Sequence, residues 1–328
     1  MKQEHIQRFC CTVCKESVLR FQGNEIDGKS GQIKTGNLLC LKCGTRYPIA
    51  GHIARFVEPE NYAGSFGFQW NIHRKTQLDS YSGLTISHDR VFEVTGWPEQ
   101  MKGEQILEAG SGAGRFTEVL LSTGAEVNSF DYSDAVEANW KSNGHHSNLN
   151  LFQGDIFSIP FEDYSFDKVF CLGVIQHTPD PELAFSSLAA KVRPGGELVI
   201  DVYASSILSL LRWKYLLRPI TKHIGRERLY HIVEKVVDAI LPLATRLRRV
   251  GGRVGARLLP IVEYSHLGLP DKLNREWAIL DTFDMYSPAH DHPRSLAVVR
   301  GWFECAGFER VEVKRGPNGV VGRGVRPL

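Results

Sequence analysis

Ile106 to Phe116 reads ILEAGSGAGRF, and the reading of this stretch decides the fold. An apolar run with an acidic end (Ile106, Leu107, Glu108) turns through Gly110, Gly112 and Gly114, and a helical pattern opens behind them at Arg115. The order is strand, glycine turn, helix. Glycine serves where a backbone takes positive φ or where a ligand comes closer than a Cβ permits, and a helix start offers N–H groups without intrahelical acceptors. Such a turn cradles a nucleotide-like ligand. The dinucleotide fingerprint G-x-G-x-x-G needs a third glycine where this chain has Arg115. The spacing here is G-x-G-x-G.

That spacing, behind a strand ending in Glu108, resembles motif I of the class I S-adenosylmethionine-dependent methyltransferases. The resemblance implies that the acid lies near the positively charged methionine end of the cofactor. Later segments follow the family's order. Glu126 to Asp131 (EVNSFD) reads as a second strand whose Asp131 can accept the ribose hydroxyls, or else cap a helix with Ser133 and Asp134. Asn150 to Gln153 is a third strand, followed by Gly154, Asp155 and Ile156, where the family's next acid meets the adenine amino group. Phe166 to Leu172 is a fourth, running into GVIQHTPDP, and Val192 to Tyr203 gives a turn and a fifth. Arg310 to Lys314 and Gly319 to Arg323 fit the final strand pair. The expected fold is α/β, a Rossmann-like seven-stranded methyltransferase sheet of order 3-2-1-4-5-7-6 with the last strand antiparallel. The cofactor-binding residues the resemblance implies are Glu108, Gly110, Ser111, Gly112, Gly114, Asp131, Tyr132, Asp155, Ile156 and Leu172.

With 328 residues, 42% hydrophobic and 23% charged, the chain has the composition of a globular protein with room for two modules. A net charge of +2 gives no global preference for nucleic acid or acidic partners. The N-terminus MKQEHIQRF lacks an apolar h-region and no run of about eighteen apolar residues occurs. The cytoplasm is the expected compartment, without a transmembrane span.

Five of the seven cysteines fall in the first 43 residues. Cys11 and Cys14 form one C-x-x-C and Cys40 and Cys43 another, so four thiolates can form the tetrahedron that Zn2+ accepts, with Cys10 spare. The segment between the pairs fits a hairpin over Phe21 to Asn37, turning at Asp27-Gly28 or Gly31. CTVCKESVLRF, LLCLKCGTRYPI and GHIARF resemble the zinc-ribbon-like domain that activates tRNA and protein methyltransferases, with Thr12 where that family usually has proline. The implied organisation is a ribbon over 1–56, a lid or connecting segment over 57–100, the methyltransferase core over 101–203 and 288–328, and a helical substrate insertion over 204–287.

In the connecting segment, Phe68 or Trp70 of FGFQW covers the methyl-transfer site, or else Phe66, Phe68 and Trp70 pack the ribbon onto the core. The insertion is helical in pattern, with Leu229, Ile232, Val233, Val236, Val237 and Ile240 at spacings of three and four. Between Arg212 and Arg257 twelve Lys or Arg stand against three acids, a local charge of +9. A basic amphipathic helix can meet an anionic membrane, a phosphorylated substrate or RNA, or be a solvated face. Asp281 to Pro293 (DTFDMYSPAHDHP) reads as a polar, substrate-facing loop. Together with YAGSFGFQWN and the ribbon it resembles bacterial methyltransferases associated with surface glycan and secondary-metabolite pathways.

Methyl transfer to a hydroxyl needs a base. His177, just after the fourth strand, is the first candidate, and His290, with His292, the second. The expected activity is S-adenosylmethionine-dependent methylation of a small molecule or glycan precursor, at oxygen. RNA methylation is the alternative, although no NPPY-type tetrapeptide follows the fourth strand. A non-catalytic cofactor-binding scaffold is the reading from another class.

Overall fold

The computed structural model describes residues 1–28, 31–58, 61–205 and 213–328. Four antiparallel strands come first: β1 (Leu19–Ile26), β2 (Ile33–Cys40), β3 (Arg46–Ala50) and β4 (Ile53–Arg55). The β1–β2 hairpin is the one expected, and part of its turn, residues 29–30, lies outside the described residues. The connecting segment contains short helices, α1 (Gly64–Ile72), α2 (Asp79–Ser82) and α3 (Ile86–Thr95). Then β5 (Gln105–Ala109), α4 (Arg115–Ser122), β6 (Glu126–Asp131), α5 (Ala135–Asn143), β7 (Leu149–Gln153), β8 (Phe166–Leu172), α6 (Pro181–Lys191) and β9 (Val192–Val202) alternate. The inserted helices are α7 (Trp213–Thr221), α8 (Arg226–Gly255) and α9 (Asp271–Tyr286). The chain closes with α10 (Leu296–Cys305), β10 (Glu309–Gly316) and β11 (Gly319–Val325).

One sheet runs β1-β2-β3-β4-β7-β6-β5-β8-β9-β11-β10. From β7 to β10 this is the expected 3-2-1-4-5-7-6 order, with β11 antiparallel to both its neighbours. Among the described residues the sheet has eleven strands rather than seven because β4 pairs in parallel with β7, Ala54 opposite Phe152 and Arg55 opposite Gln153. The cysteine-bearing strands therefore continue the core sheet.

The core strands bury both faces, as parallel strands covered by helices do. Leu107, Ala109, Val169, Cys171, Leu198 and Ile200 face one cluster with α6 and α10, while Ile106, Phe170, Leu172 and Val199 face another with α3 and α4. Phe9 packs against Phe56, Phe152 and Phe161 at centroid separations of 5.0, 5.3 and 5.1 Å. The N-terminal strands thus share the first of these clusters. Inserted α8 and α9 make their own small core from Leu229, Val233, Val237, Ala278 and Phe283, onto which Phe68 packs.

Candidate cofactor and acceptor site

A cavity of about 970 Å³ opens at the C-terminal ends of β5, β6, β8 and β9, where the direction of strand order reverses and α/β sheets bind ligands. One wall holds Gly110, Ser111, Gly112, Asp131, Tyr132, Ile156 and Leu172. Gly110 sits at φ 77°, and a Cβ there would stand 2.2 Å from Val174 Cγ2. Gly112 sits at φ 52° with the Trp70 indole 3.2 Å from where its Cβ would be. Asp131 fixes the turn: Gly112 N–H donates to its Oδ2 at 2.9 Å, and Ser133 N–H and Oγ–H donate to its Oδ1 at 2.8 and 2.7 Å. Burial raises the pKa of Asp131. Tyr62 lies on Tyr132, with ring centroids 4.9 Å apart.

Three of the expected cofactor residues are not in that wall. Gly114 lies behind the turn at the start of α4, where the Asn143 amide donates to its carbonyl at 3.0 Å. Asp155 turns aside to accept from Phe157 N–H at 2.9 Å, and its neighbours Gly154 and Ile156 face the space instead. Glu108 is beneath the turn. Thr117 and Ser129 hydroxyls donate to its Oε2 at 2.5 and 2.7 Å, its Oε1 is buried without a partner, and burial lifts its pKa to about 7.

The far half of the cavity is polar. His177 lines it, packed between Phe66 and Tyr203 at centroid separations of 5.2 and 5.3 Å. Its Nδ1–H donates to the carbonyl of His290 at 3.0 Å. Since a carbonyl only accepts, Nε2 carries the free lone pair. Burial lowers the pKa of His177. His290 itself is a correction to the expected base: neither its ring nor that of His292 reaches the wall, because the two stack on each other and His290 packs edge-on to Tyr62.

The stretch from Asp281 is also not a loop at its start. Asp281 and Asp284 lie one turn apart on α9 and both line the cavity. Asp284 accepts from the Gln69 amide at 3.1 Å and from Tyr203 OH at 3.3 Å. Asp281 accepts from the Gln77 amide at 3.2 Å and from Tyr264 OH, and burial lifts its pKa to about 6. Sequence reading missed Arg115. Its guanidinium donates to Gln77 Oε1 at 2.6 Å and lies 4.5 Å from the Phe116 ring, and burial pulls its pKa down to about 10. A charged residue opening the helix behind the glycines was the available signal. Of the FGFQW aromatics, Phe66 and Trp70 line the cavity, whereas Phe68 packs on Tyr230 and Phe283. The N-terminal strands are joined to the core through Phe9 and Phe56 instead.

Cys11, Cys14, Cys40 and Cys43 converge with all sulfurs within 4.8 Å of one another, 3.6 Å for Cys11–Cys43 and 3.5 Å for Cys14–Cys40. A tetrahedral zinc with bonds of about 2.3 Å needs sulfur separations of about 3.8 Å. The donor set fits zinc. Cys10 stands apart, 3.1 Å from Ser17 Oγ. No other group of three or more potential ligands occurs among the described residues, the His290-Asp291-His292 run included.

The sheet order, the glycine turn tied to Asp131 and the cavity at the strand ends define the core as a class I methyltransferase domain of the S-adenosylmethionine-dependent kind. In accord, residues 107–200 match the family described as Methyltransferase domain. An uncharacterized protein of Synechococcus is 28% identical over 237 residues, covering 65% of this chain and 49% of that protein. The ubiquinone biosynthesis O-methyltransferase of Coxiella burnetii is 32% identical over 100 residues, 30% of this chain and 43% of that enzyme. The chain thus spans about half the length of the curated relatives it matches. Among solved structures, the complex containing the Haloferax volcanii Trm112 methyltransferase activator has a TM-score of 0.46 at 15% identity, covering 83% of this chain and 100% of that one.

Proposed function

We propose that this protein transfers the methyl group of S-adenosylmethionine to a hydroxyl of a small molecule or a glycan or secondary-metabolite precursor. Bound, the cofactor supplies an electrophilic methyl carbon on a positively charged sulfur. Gly110 and Gly112 let the turn backbone approach it, and the open lone pair of Asp131 Oδ2 accepts from ribose. Tyr132, Ile156 and Leu172 supply apolar walls for the rest. Glu108 acts through the turn, as a buried carboxyl whose charged form a cationic methionine end would favour.

The observation that carries the oxygen reading is the His177 ring. With Nδ1–H held by the His290 carbonyl, Nε2 is left as the neutral acceptor of a ring that lines the cavity, suited to take a hydroxyl proton as the oxygen attacks the methyl. Tyr203, Asp284 and Asp281 give that half hydrogen-bonding partners for a polyhydroxylated acceptor, while Phe66 and Trp70 exclude water from one side. An oxygen target is in keeping with the Coxiella relative being an O-methyltransferase. The four cysteines hold a structural Zn2+ on this reading.

Calorimetry with S-adenosylhomocysteine, followed by a screen of hydroxylated acceptors with a methyl-labelled donor, tests the proposal. Failure to bind S-adenosylhomocysteine ends it, and binding without methylation, together with labelling of amine or RNA acceptors alone, ends the oxygen reading.

A further inference from the structure

Helix α8 has two faces with different fates. Leu229, Val233, Val237 and Ala244 are buried against α9. On the outer side Ile232, Val236, Leu243 and Val250 recur at intervals of four, seven and seven, which a period of 3.6 places on one stripe. All four are exposed, Leu243 at 50% and Val250 at 93%, and Val254 beyond them is 73% exposed. An apolar stripe of this length left in water marks an interaction surface.

Charge says what kind. The same period places Arg228, Lys235, Arg246 and Arg249 along one edge of the stripe, all exposed and, among the described residues, without an acidic partner. The acids of α8 that follow it, Glu234 and Asp238, lie round the helix and are bonded by Arg275 at 3.2 and 2.6 Å. Basic residues of the insertion that do have internal partners point elsewhere: Lys214 and Arg218 to Asp291 at 2.8 and 3.0 Å, and Arg248 to Glu263. With Glu227 confined to the first turn of α8 and the other two acids bonded by Arg275, the outer face beyond that turn is apolar and cationic, the signature of a helix lying in a lipid interface. Helix α7 adds a second apolar stripe, with Trp213, Leu216 and Ile220 exposed at spacings of three and four, and Trp213 Nε1–H donating to the Leu258 carbonyl at 3.2 Å.

We infer that the outer face of α8, with the exposed side of α7, docks on an anionic membrane surface. No helix among the described residues is long and apolar enough to cross a membrane, so the contact is peripheral. Lys214, Tyr215 and Arg257, on or just beyond these helices, line the cavity, so the docked surface borders its rim. That a lipid-borne acceptor enters there rests on the methyl-transfer reading; the docking does not.

Co-sedimentation of the full chain with vesicles of equal parts phosphatidylglycerol and phosphatidylcholine tests it, beside phosphatidylcholine alone. Binding is expected on the anionic vesicles only and is reversed by salt. Arg246→Gln with Arg249→Gln lowers it roughly twenty-five-fold, at about fivefold per basic residue. Leu243→Ser with Val250→Ser weakens it as well, and both variants keep the S-adenosylhomocysteine affinity and melting temperature of the parent. Absence of binding, or equal binding to neutral vesicles, overturns the inference. So does a dimer in sedimentation equilibrium that Val250→Ser dissociates, which assigns the face to a second copy, and so does salt-sensitive RNA binding lost in the arginine pair while vesicles are ignored.

Discussion

The Nδ1–H of His177 donates to the main-chain carbonyl of His290, 3.0 Å away across 113 residues of sequence. This bond selects the tautomer with Nε2 unprotonated, and burial, by lowering the pKa, keeps it so at neutral pH. His177→Gln is expected to lower kcat by ~10²–10⁴-fold with S-adenosylhomocysteine affinity retained. A base works only when unprotonated, so the acid limb of the rate profile should fall below the ordinary histidine value of about 6.5. An unchanged kcat in the variant, or an acid limb at or above the ordinary value, would remove His177 from this role.

Asp131 bonds both Gly112 N–H and Ser133, so its loss should loosen the turn as well as remove a ribose partner. Asp131→Ala is expected to weaken S-adenosylhomocysteine by about 1–3 kcal/mol. Gly112→Val should abolish binding, since its Cβ would meet the Trp70 indole and φ is 52°. Calorimetry on both variants, each first shown to melt cooperatively, decides; parental affinity in the two would mean that the cofactor lies elsewhere.

Glu108 makes stability depend on pH. Its pKa rises from an ordinary 4.5 to about 7 on folding because its carboxylate is buried with one oxygen unpartnered. A raised folded pKa stabilises fully below the unfolded value and loses that contribution as pH climbs through the folded one. In ligand-free protein this amounts to about 3 kcal/mol between pH 4.5 and 8. Glu108→Gln mimics the protonated acid and should flatten the slope, being more stable than the parent at pH 8 and similar at pH 5. Urea titrations across that range would refute the assignment by giving parallel curves.

The core was legible because its signals are local. β6 ends at Asp131 and β8 at Leu172, as expected from apolar runs closed by turn residues. The link between β4 and β7 was not, since a strand of three residues carries no period and its partner lies about a hundred residues on. Asp281 and Asp284 looked like loop residues because prolines and histidines follow them closely, yet they share a face of α9. His290 contributes a carbonyl rather than its ring, and a main-chain role leaves no mark in residue identity.

That same β4 carries the final expectation, a coupling between the metal and the cofactor pocket. This strand ends in Arg55, whose guanidinium donates to Gln153 Oε1 at 2.6 Å and pairs with Glu137 at 2.9 Å. Gln153 in turn donates to the carbonyl of Tyr132 at 3.1 Å, directly behind the ring that lines the cavity. Elemental analysis should give about one zinc per chain. Cys43→Ser, or removal of zinc by a chelator, should lower the melting temperature of the core together with that of the ribbon, because the two share a sheet and a cluster. Arg55→Ala should leave the metal in place and weaken S-adenosylhomocysteine by about 1 kcal/mol, as loss of a charged hydrogen bond supporting Tyr132 would. A metal-free chain with parental melting and parental cofactor affinity would dissolve the coupling, while zinc loss that melts the ribbon alone would show that the β4–β7 pairing carries no strain to the core.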